Sequence, residues 1–177
     1  MRAIHQRLTT SSADAKIALM NDSEPVTHIV AVAATIPARP ERVYALIANC
    51  KDGHRRILPK QFSDITVEQG GIGAGTLIRF QMSVLGRKQN YRAAISEPEP
   101  GRVLVETYLE PAGTITTFRV EQGSAPADSH VTIATELPVR SGLVGLMEKT
   151  AAGFLLRSIF RKELTNLARV ATGPFGM

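Results

Sequence analysis

The sequence predicts an α+β fold in which a curved antiparallel sheet of about seven strands wraps around one long C-terminal helix. Between Phe62 and Leu137, apolar and polar residues alternate with a period of two, in segments separated by short turns rich in glycine and proline. From Ser141 to Val170 the chain runs for about thirty residues without a proline, and Gly173-Pro174 follows as a helix stop signal. A sheet with one apolar face and a long helix can bury each other's apolar surfaces, which is a stable two-layer arrangement.

The predicted elements follow one another in a simple order. Val26–Thr35 is apolar and β-branched and predicts the first strand. Arg39-Pro40-Glu41 predicts the start of a short helix, and Gly53–Leu58 predicts a second one. Six more strands are predicted at Phe62–Gln69, Thr76–Leu85, Gln89–Glu97, Val103–Leu109, Thr114–Glu121 and Val131–Leu137. Because their connections are short, we expect successive strands to pair as antiparallel neighbours in a meander.

The long helix carries two apolar faces that meet near Gly153, with Ser141 as a possible N-cap. One face is formed by Leu143, Met147, Ala151, Phe154 and Ser158, and the other by Leu156, Phe160, Leu164 and Leu167. We therefore expect the helix to bend, or to contact different neighbours with its two halves.

The composition is that of one globular domain. The chain has 177 residues, of which 44% are hydrophobic and 21% charged, and this length can bury a sizeable core. We expect a weakly ordered N-terminal tail over 1–24, a single domain over 25–172 and a short tail over 173–177. No apolar run approaches the ~20 residues of a membrane span, and no secretory signal is present. The single Cys50 fits a reducing compartment, so we expect a cytoplasmic protein.

The net charge of +5 is mild, and the basic residues form small clusters such as Arg55-Arg56, Arg87-Lys88 and Arg161-Lys162. Clusters of this kind can meet nucleic acid or anionic lipid. No recognition helix, zinc spacing or aromatic–basic stacking pattern accompanies them, so we expect no nucleic-acid partner. The sequence leaves the oligomeric state open.

The order of elements and three local features resemble a known superfamily. These features are the turn Glu68–Thr76 (EQGGIGAGT) leading into a strand, Leu58-Pro59 before it, and the helix segment Phe160–Leu167. Over roughly Val26–Val170 the chain resembles the SRPBCC superfamily. This is the helix-grip fold of START lipid-transfer domains, plant pathogenesis-related allergens and the polyketide cyclase/dehydrase family. The resemblance implies a hydrophobic ligand held between sheet and helix. The tryptophan often found before the Leu-Pro position in that superfamily is absent here.

The glycine run Gly71–Gly75 is not read as a dinucleotide-binding fingerprint. That fingerprint follows a strand and opens a helix, whose free N–H groups bind the pyrophosphate. Here a strand is predicted to follow. The glycines instead supply the positive φ angles of a turn or bulge.

The sequence carries no recognised catalytic motif, since HExxH, CxxC, GxSxG and a phosphate loop are all absent. Cys50 and His54 could form a nucleophilic pair, but we expect a small buried Cys50 and an exposed His54 beside Arg55 and Arg56. No three ligand-type side chains have metal-ligand spacing, so we expect no metal and no other cofactor. Tyr91 and His54 are the candidates for acid–base chemistry, and no inward-facing carboxylate is expected.

We expect a ligand cavity between the apolar sheet face and the helix. Small residues along the helix leave it thin, and a curled sheet around a thin helix tends to leave an apolar void. The predicted lining is Ile57, Leu58, Ile78, Phe80, Met82, Tyr91, Ile95, Val105, Phe118, Val120 and Ile133, covered by Met147, Ala151, Phe154 and Leu155. Thr107 and Thr116 are further candidates for polar groups at this cavity.

The function predicted from these features is binding or transport of a small hydrophobic molecule, such as a lipid, a polyketide or an aromatic compound. One alternative is a cyclase or dehydratase that uses no metal or nucleotide. A second is a macromolecular interaction module, for example a co-chaperone or ribosome-associated protein of the same fold.

Overall fold

The computed structural model describes residues 26–84, 86–139 and 142–173. The predicted tail over 1–24, residues 174–177 and the possible N-cap Ser141 lie outside the described residues, as do the side chains of Leu143 and Met147. In chain order the elements are β1 (Val26–Ile36), α1 (Pro40–Ala48), α2 (Gly53–Ile57), β2 (Phe62–Gln69), β3 (Leu77–Val84), β4 (Arg87–Glu99), β5 (Val103–Glu110), β6 (Ala112–Gln122), β7 (Ser129–Val139) and α3 (Gly142–Thr172).

The seven strands form one curved antiparallel sheet in the order β1-β7-β6-β5-β4-β3-β2. Strands β2 to β7 follow each other as a meander, because each connection is too short to cross the sheet. Strand β1 adds to the far edge by pairing with β7 from Val26↔Val139 to Ile36↔Ser129. The predicted α+β fold, with two short helices after the first strand and a long helix at the end, is confirmed.

The glycine-rich loop between β2 and β3 joins the sheet to the short helices. The Cys50 N–H donates to the Gly71 carbonyl at 2.9 Å, and the Gly73 N–H donates to the Ala48 carbonyl at 2.9 Å. Gly73 has a φ of 62°, and a Cβ at this position would lie 2.2 Å from a carboxylate oxygen of Glu97. Backbone conformation and close packing thus require glycine there, without any bound phosphate.

Helix α3 packs against β1, β7 and the two short helices. Over 150–172, where its side chains are described, the helix buries Gly153 and the side chains of Ile159, Phe160, Glu163, Leu164, Leu167, Val170 and Ala171. The expectation that Ala151 and Phe154 cover the sheet is wrong, because both are exposed and Phe154 is 80% accessible. The face that carries Phe160, Leu164 and Leu167 has more apolar area to bury, so it takes the core side.

Strand β5 presents the opposite face from the one expected. The prediction that Val105 points inward is wrong, because Leu104 and Glu106 are buried and Val105 is half-buried. Directly paired residues of antiparallel strands share one face of the sheet. Leu104 pairs with the buried Phe118 on β6, and Glu106 pairs with the buried Thr116. The register to β6 therefore sets the orientation of β5 and turns a carboxylate into the interior.

Candidate functional site

A large cavity lies between the concave face of the sheet and helix α3, with a volume of about 850 Å³. This volume falls within the range of small-molecule sites. Its lining residues are Phe62, Met82, Arg87, Lys88, Gln89, Tyr91, Tyr108, Thr114, Thr116, Thr135, Leu137, Ala152, Leu155, Leu156, Ile159 and Phe160. Strands β2 to β7 supply one wall and the middle of α3 supplies the other.

Four aromatic rings form one continuous wall beside this cavity. Phe80 and Tyr91 are stacked with ring centroids 5.3 Å apart, and Phe62 lies 5.6 Å from Phe80. Tyr108 meets Phe80 and Tyr91 edge-on, at 6.0 and 5.7 Å. Such offset and edge-on contacts hold the rings in fixed orientations. The wall is therefore a rigid surface suited to a flat ligand.

The polar groups inside the cavity are few and neutral. The hydroxyl oxygens of Thr116 and Thr135 lie 2.7 Å apart and form a buried hydrogen bond between β6 and β7. Burial raises the pKa of Tyr91, and it raises the pKa of Tyr108 with a further contribution from Glu106. Both phenols therefore stay protonated at neutral pH and can donate hydrogen bonds to a ligand.

The cavity mouth is basic. Arg87, Lys88 and Gln89 belong to the start of β4, and their side chains are exposed while they border the cavity. Cations at the rim of an apolar pocket favour ligands that carry an anionic group at one end.

A second, much smaller cavity of about 20 Å³ adjoins the first at the ring of Phe62, and we call this place the inner end. Its walls include Cys50, His54, Leu58, Ile78, Phe80 and Glu106, and the Phe62 ring belongs to the walls of both cavities. The space suits a single water molecule or one protruding group of a ligand.

Three ionisable side chains meet beside the small cavity, which His54 and Glu106 border and Glu163 does not. His54 is 5% accessible, Glu106 is 5% and Glu163 is 2%. Nε2 of His54 lies 3.7 Å from Oε1 of Glu106 and 3.8 Å from Oε1 of Glu163. Among the described residues, neither of these two carboxyl oxygens has a hydrogen-bond partner. We call His54, Glu106 and Glu163 the buried acid–base cluster.

The imidazole of His54 has a defined orientation. Its Nδ1 lies 2.8 Å from the carbonyl oxygen of Ile47, and a carbonyl only accepts hydrogen bonds, so Nδ1 carries a proton. The ring also meets Phe118 edge-on at 5.5 Å. Nε2 is consequently the atom that faces the two carboxyl groups.

The two carboxyl groups are electrostatically coupled. Burial raises the pKa of Glu106, while the adjacent His54 acts against this shift. Burial raises the pKa of Glu163 well above its usual range, and the charge of Glu106 adds to the effect. Like charges close together in an apolar interior disfavour double ionisation. The cluster therefore favours a state in which Glu163 keeps a proton.

The cluster corrects two expectations. The expectation of an exposed His54 beside Arg55 and Arg56 is wrong, because α2 turns this side chain toward the sheet. The expectation that no carboxylate faces inward is also wrong, since Glu106 and Glu163 both point inward. One signal was present in the sequence, because Glu163 shares the helical face of Phe160 and Leu167 at spacings of three and four residues.

Cys50 borders the small cavity but does not form a reactive pair with His54. Burial raises the pKa of its thiol to about 12, and the charge of Glu106 contributes to the rise. The nucleophilic form of cysteine is the thiolate, which this environment disfavours. Among the residues that the structure describes, no group of three His, Cys, Asp or Glu side chains is arranged to hold a metal ion.

The structure distributes the other sequence-predicted lining residues over three locations. Met82, Tyr91 and Leu155 border the large cavity, and Leu58, Ile78 and Phe80 border the small one. Ile57, Ile95, Phe118, Val120 and Ile133 are buried core residues that border neither cavity. Val105, Ala151 and Phe154 point away from both cavities. Thr116 borders the large cavity, whereas Thr107 is exposed.

The class of the protein follows from this architecture. A curved antiparallel sheet closed by one long C-terminal helix over an apolar cavity is the helix-grip fold of SRPBCC-type domains. The sequence profile of the family described as "Polyketide cyclase / dehydrase and lipid transport" matches residues 27–172. The chain belongs to this family. No curated protein sequence matches it significantly.

Solved structures show the same fold. The KanY protein, determined by NMR, is similar with a TM-score of 0.71 and 24% identity, covering 85% of this chain and 99% of that one. The protein TTHA0849 from Thermus thermophilus has a TM-score of 0.67 and 20% identity, covering 82% and 100%. The Zhui aromatase/cyclase from a Streptomyces species has a TM-score of 0.65 and 17% identity, covering 82% and 94%.

Within the described residues, no helix combines the length and the apolar character that crossing a membrane would need.

Proposed function

We propose that this protein binds a small, mostly apolar molecule with a flat or conjugated portion in the large cavity between the sheet and α3. The observation that carries the proposal is the 850 Å³ cavity itself, which apolar and aromatic side chains line around a few neutral polar groups. A solid core would leave no such space, since protein interiors are packed about as densely as organic crystals.

Different residues at the cavity would contact different parts of the ligand. The aromatic rings of Phe62, Tyr91 and Tyr108, which line the cavity, offer flat surfaces for ring contacts. The paired hydroxyls of Thr116 and Thr135 offer hydrogen bonds that fix the orientation of the ligand. Burying about 200 Å² of apolar ligand surface contributes about 5 kcal/mol before the cost of immobilising the ligand.

Two adjacent alanines of α3 provide a matched test. Ala152 borders the cavity, whereas its neighbour Ala151 is exposed and borders neither cavity. Ala152→Trp would place a bulky indole ring in the cavity, whereas Ala151→Trp would add the same side chain outside it. Binding of an apolar fluorescent dye should fall by about 100-fold in the first variant and stay unchanged in the second. Equal binding by both variants would place the dye elsewhere and contradict the proposal.

Native mass spectrometry of the freshly purified protein, followed by solvent extraction, supplies the natural ligand. A lipophilic compound recovered in stoichiometric amount supports the proposal. An empty protein that forms a salt-dependent complex with a macromolecule would favour an interaction module instead.

A second candidate function is that of a cyclase or dehydratase acting on a polyketide-like or aromatic substrate. The phenols of Tyr91 and Tyr108 inside the cavity favour it, because each can donate a hydrogen bond to the carbonyl oxygen of a substrate. Tyr91→Phe separates the two functions. The substitution would abolish turnover by such an enzyme, but it would lower the ligand affinity of a carrier only slightly.

A further inference from the structure

We propose that the buried acid–base cluster of His54, Glu106 and Glu163 is a proton-transfer site at the inner end of the ligand cavity. Its substrate would be a carbon acid, a compound with a C–H bond beside a carbonyl group or in an electron-poor ring. This inference rests on the proposed function, because the cavity must hold the compound.

The first support is the unfavourable burial of the cluster. Burying an ionisable group in an apolar interior costs free energy unless its hydrogen bonds are satisfied. A protein with an apolar side chain of similar volume at that position is often equally stable or more stable. Oxygens of Glu106 and Glu163 are nonetheless buried without a hydrogen-bond partner among the described residues. Groups held in this state concentrate at sites that transfer protons.

The second support is the position of the cluster relative to the large cavity. Glu106 pairs across the sheet with Thr116, and Thr116 borders the cavity. Glu163 follows Ile159 and Phe160, which also border the cavity, by one turn of α3. The small cavity reaches Glu106 and His54, and the ring of Phe62 divides it from the large one. A group of the ligand that extends past Phe62 would meet the carboxyl of Glu106.

The third support is that the geometry allows each of the three side chains a separate role. Ionised Glu106 takes the proton of the substrate, and Glu163 holds a proton that can be returned. His54 acts as a positioning residue, because its bond to the Ile47 carbonyl aims Nε2 at both carboxyl groups. One side chain therefore removes a proton while another supplies one.

The reaction is balanced without any other reactant. The C–H bond of the substrate breaks, its proton passes to Glu106, and the electron pair enters the carbonyl group as an enolate. Glu163 gives its proton to the enolate oxygen or to a second carbon, which completes a tautomerisation. Transfer of the removed proton from Glu106 to Glu163 then restores the cluster.

The compound 5-nitrobenzisoxazole tests the proposal. It is a flat aromatic carbon acid, and loss of its ring proton to a base breaks the N–O bond and releases a coloured nitrophenolate. We expect the protein to accelerate this elimination, and Glu106→Gln to reduce the acceleration by about 100-fold or more. Glu110→Gln is the matched control on the same strand, because the Glu110 side chain is 61% exposed. It should retain the full rate.

Two further variants keep the test independent of folding defects. Phe62→Ala removes the ring between the two cavities and should raise the rate, which a damaged protein would not do. His54→Gln should shift the pH dependence of the rate, as expected for a residue that positions the base.

The proposal is overturned if the protein does not accelerate the elimination, or if Glu106→Gln and Glu110→Gln have equal effects. Displacement of the apolar dye by 5-nitrobenzisoxazole is measured in parallel. If the compound displaces the dye but its elimination is not accelerated, the proton-transfer proposal is overturned and the ligand-binding proposal is not. Both proposals are overturned if the compound neither displaces the dye nor reacts faster with the protein, and if the Ala151→Trp and Ala152→Trp variants bind the dye equally.

Discussion

The two ends of the space beneath α3 are built from different kinds of side chain. Toward the mouth, aromatic rings, aliphatic side chains and neutral hydroxyls enclose a volume large enough for a ligand. At the inner end, the imidazole of His54 and the carboxyl group of Glu106 border space for little more than a water molecule, and the carboxyl group of Glu163 lies 3.8 Å from the imidazole. Burial of apolar side chains at the outer end stabilises the fold. Burial of ionisable groups at the inner end costs folding free energy. In our proposals, the outer end binds the ligand and the inner end transfers its proton, and the following changes test the contrast between the two ends.

The largest effect is expected from removing the imidazole. His54→Ala leaves the carboxyl groups of Glu106 and Glu163 facing each other without the ring between them, and it also removes the hydrogen bond to Ile47. We expect the free energy of unfolding to fall by about 3 kcal/mol. Urea denaturation measures the change. Arg56→Ala, on the exposed side of the same helix, should change stability by less than about 0.5 kcal/mol. A similar result for both variants would contradict the electrostatic role of the cluster.

The next effect is a change in the pH dependence of stability. Glu163 faces His54 and Glu106, and Tyr108 lies close enough to sense its charge. An unfolded Glu loses its proton near pH ~4.3, whereas folded Glu163 keeps it to higher pH because burial raises its pKa. The unfolded state therefore binds fewer protons above that pH, and stability falls as the pH rises toward the folded pKa.

Glu163→Gln removes this dependence, because an amide does not titrate. The stability of the variant relative to the natural protein should grow with pH above about 5, by up to about 1.4 kcal/mol per pH unit. Urea denaturation at several pH values between about 5 and 8 measures the slope. Parallel stability curves for the two proteins would show that Glu163 titrates normally.

A smaller effect is expected at the neutral polar groups of the outer end. Thr135→Val removes the hydroxyl that pairs with Thr116 while it keeps the shape of the side chain. Loss of one buried hydrogen bond should lower the free energy of unfolding by about 1 kcal/mol. Thr132→Val, on the same strand and not among the cavity residues, is the control. Stability should not depend on pH in either variant beyond the dependence of the natural protein, since neither threonine titrates.

The smallest effect is expected at the basic mouth. Lys88→Ala should weaken binding of an anionic apolar dye a few-fold at low salt, because one exposed charge contributes about 1 kcal/mol or less. The difference should vanish at high salt, where exposed charges are screened. An uncharged dye should bind both proteins equally. A loss of affinity that persists at high salt would mean that Lys88 supports the fold or contacts the dye directly.

The sequence anticipated the apolar side chains at the two cavities far better than the ionisable ones. Alternation in β3 placed Ile78, Phe80 and Met82 on the concave face correctly, because a strand with one wet side repeats with a period of two. The same reasoning failed in β5. In that strand the hydrophobicity of Val105 assigned it to the apolar face of the sheet. Only the pairing with β6 shows that Glu106 lies on that face instead. Hydrophobicity alone cannot identify a buried carboxylate, since the pattern assigns charged residues to solvent.

By itself, the sequence determined the order of the elements, the meander and the presence of one long helix, because these follow from local periodicity and turn residues. It also carried the distributed resemblance to the SRPBCC superfamily. Only the tertiary structure decided which face of α3 turns inward and which residues share the inner end of the cavity. His54, Glu106 and Glu163 belong to three elements far apart in the chain, and no local pattern connects them. Their contact arises when the sheet curves around the helix, which is a property of packing rather than of any segment.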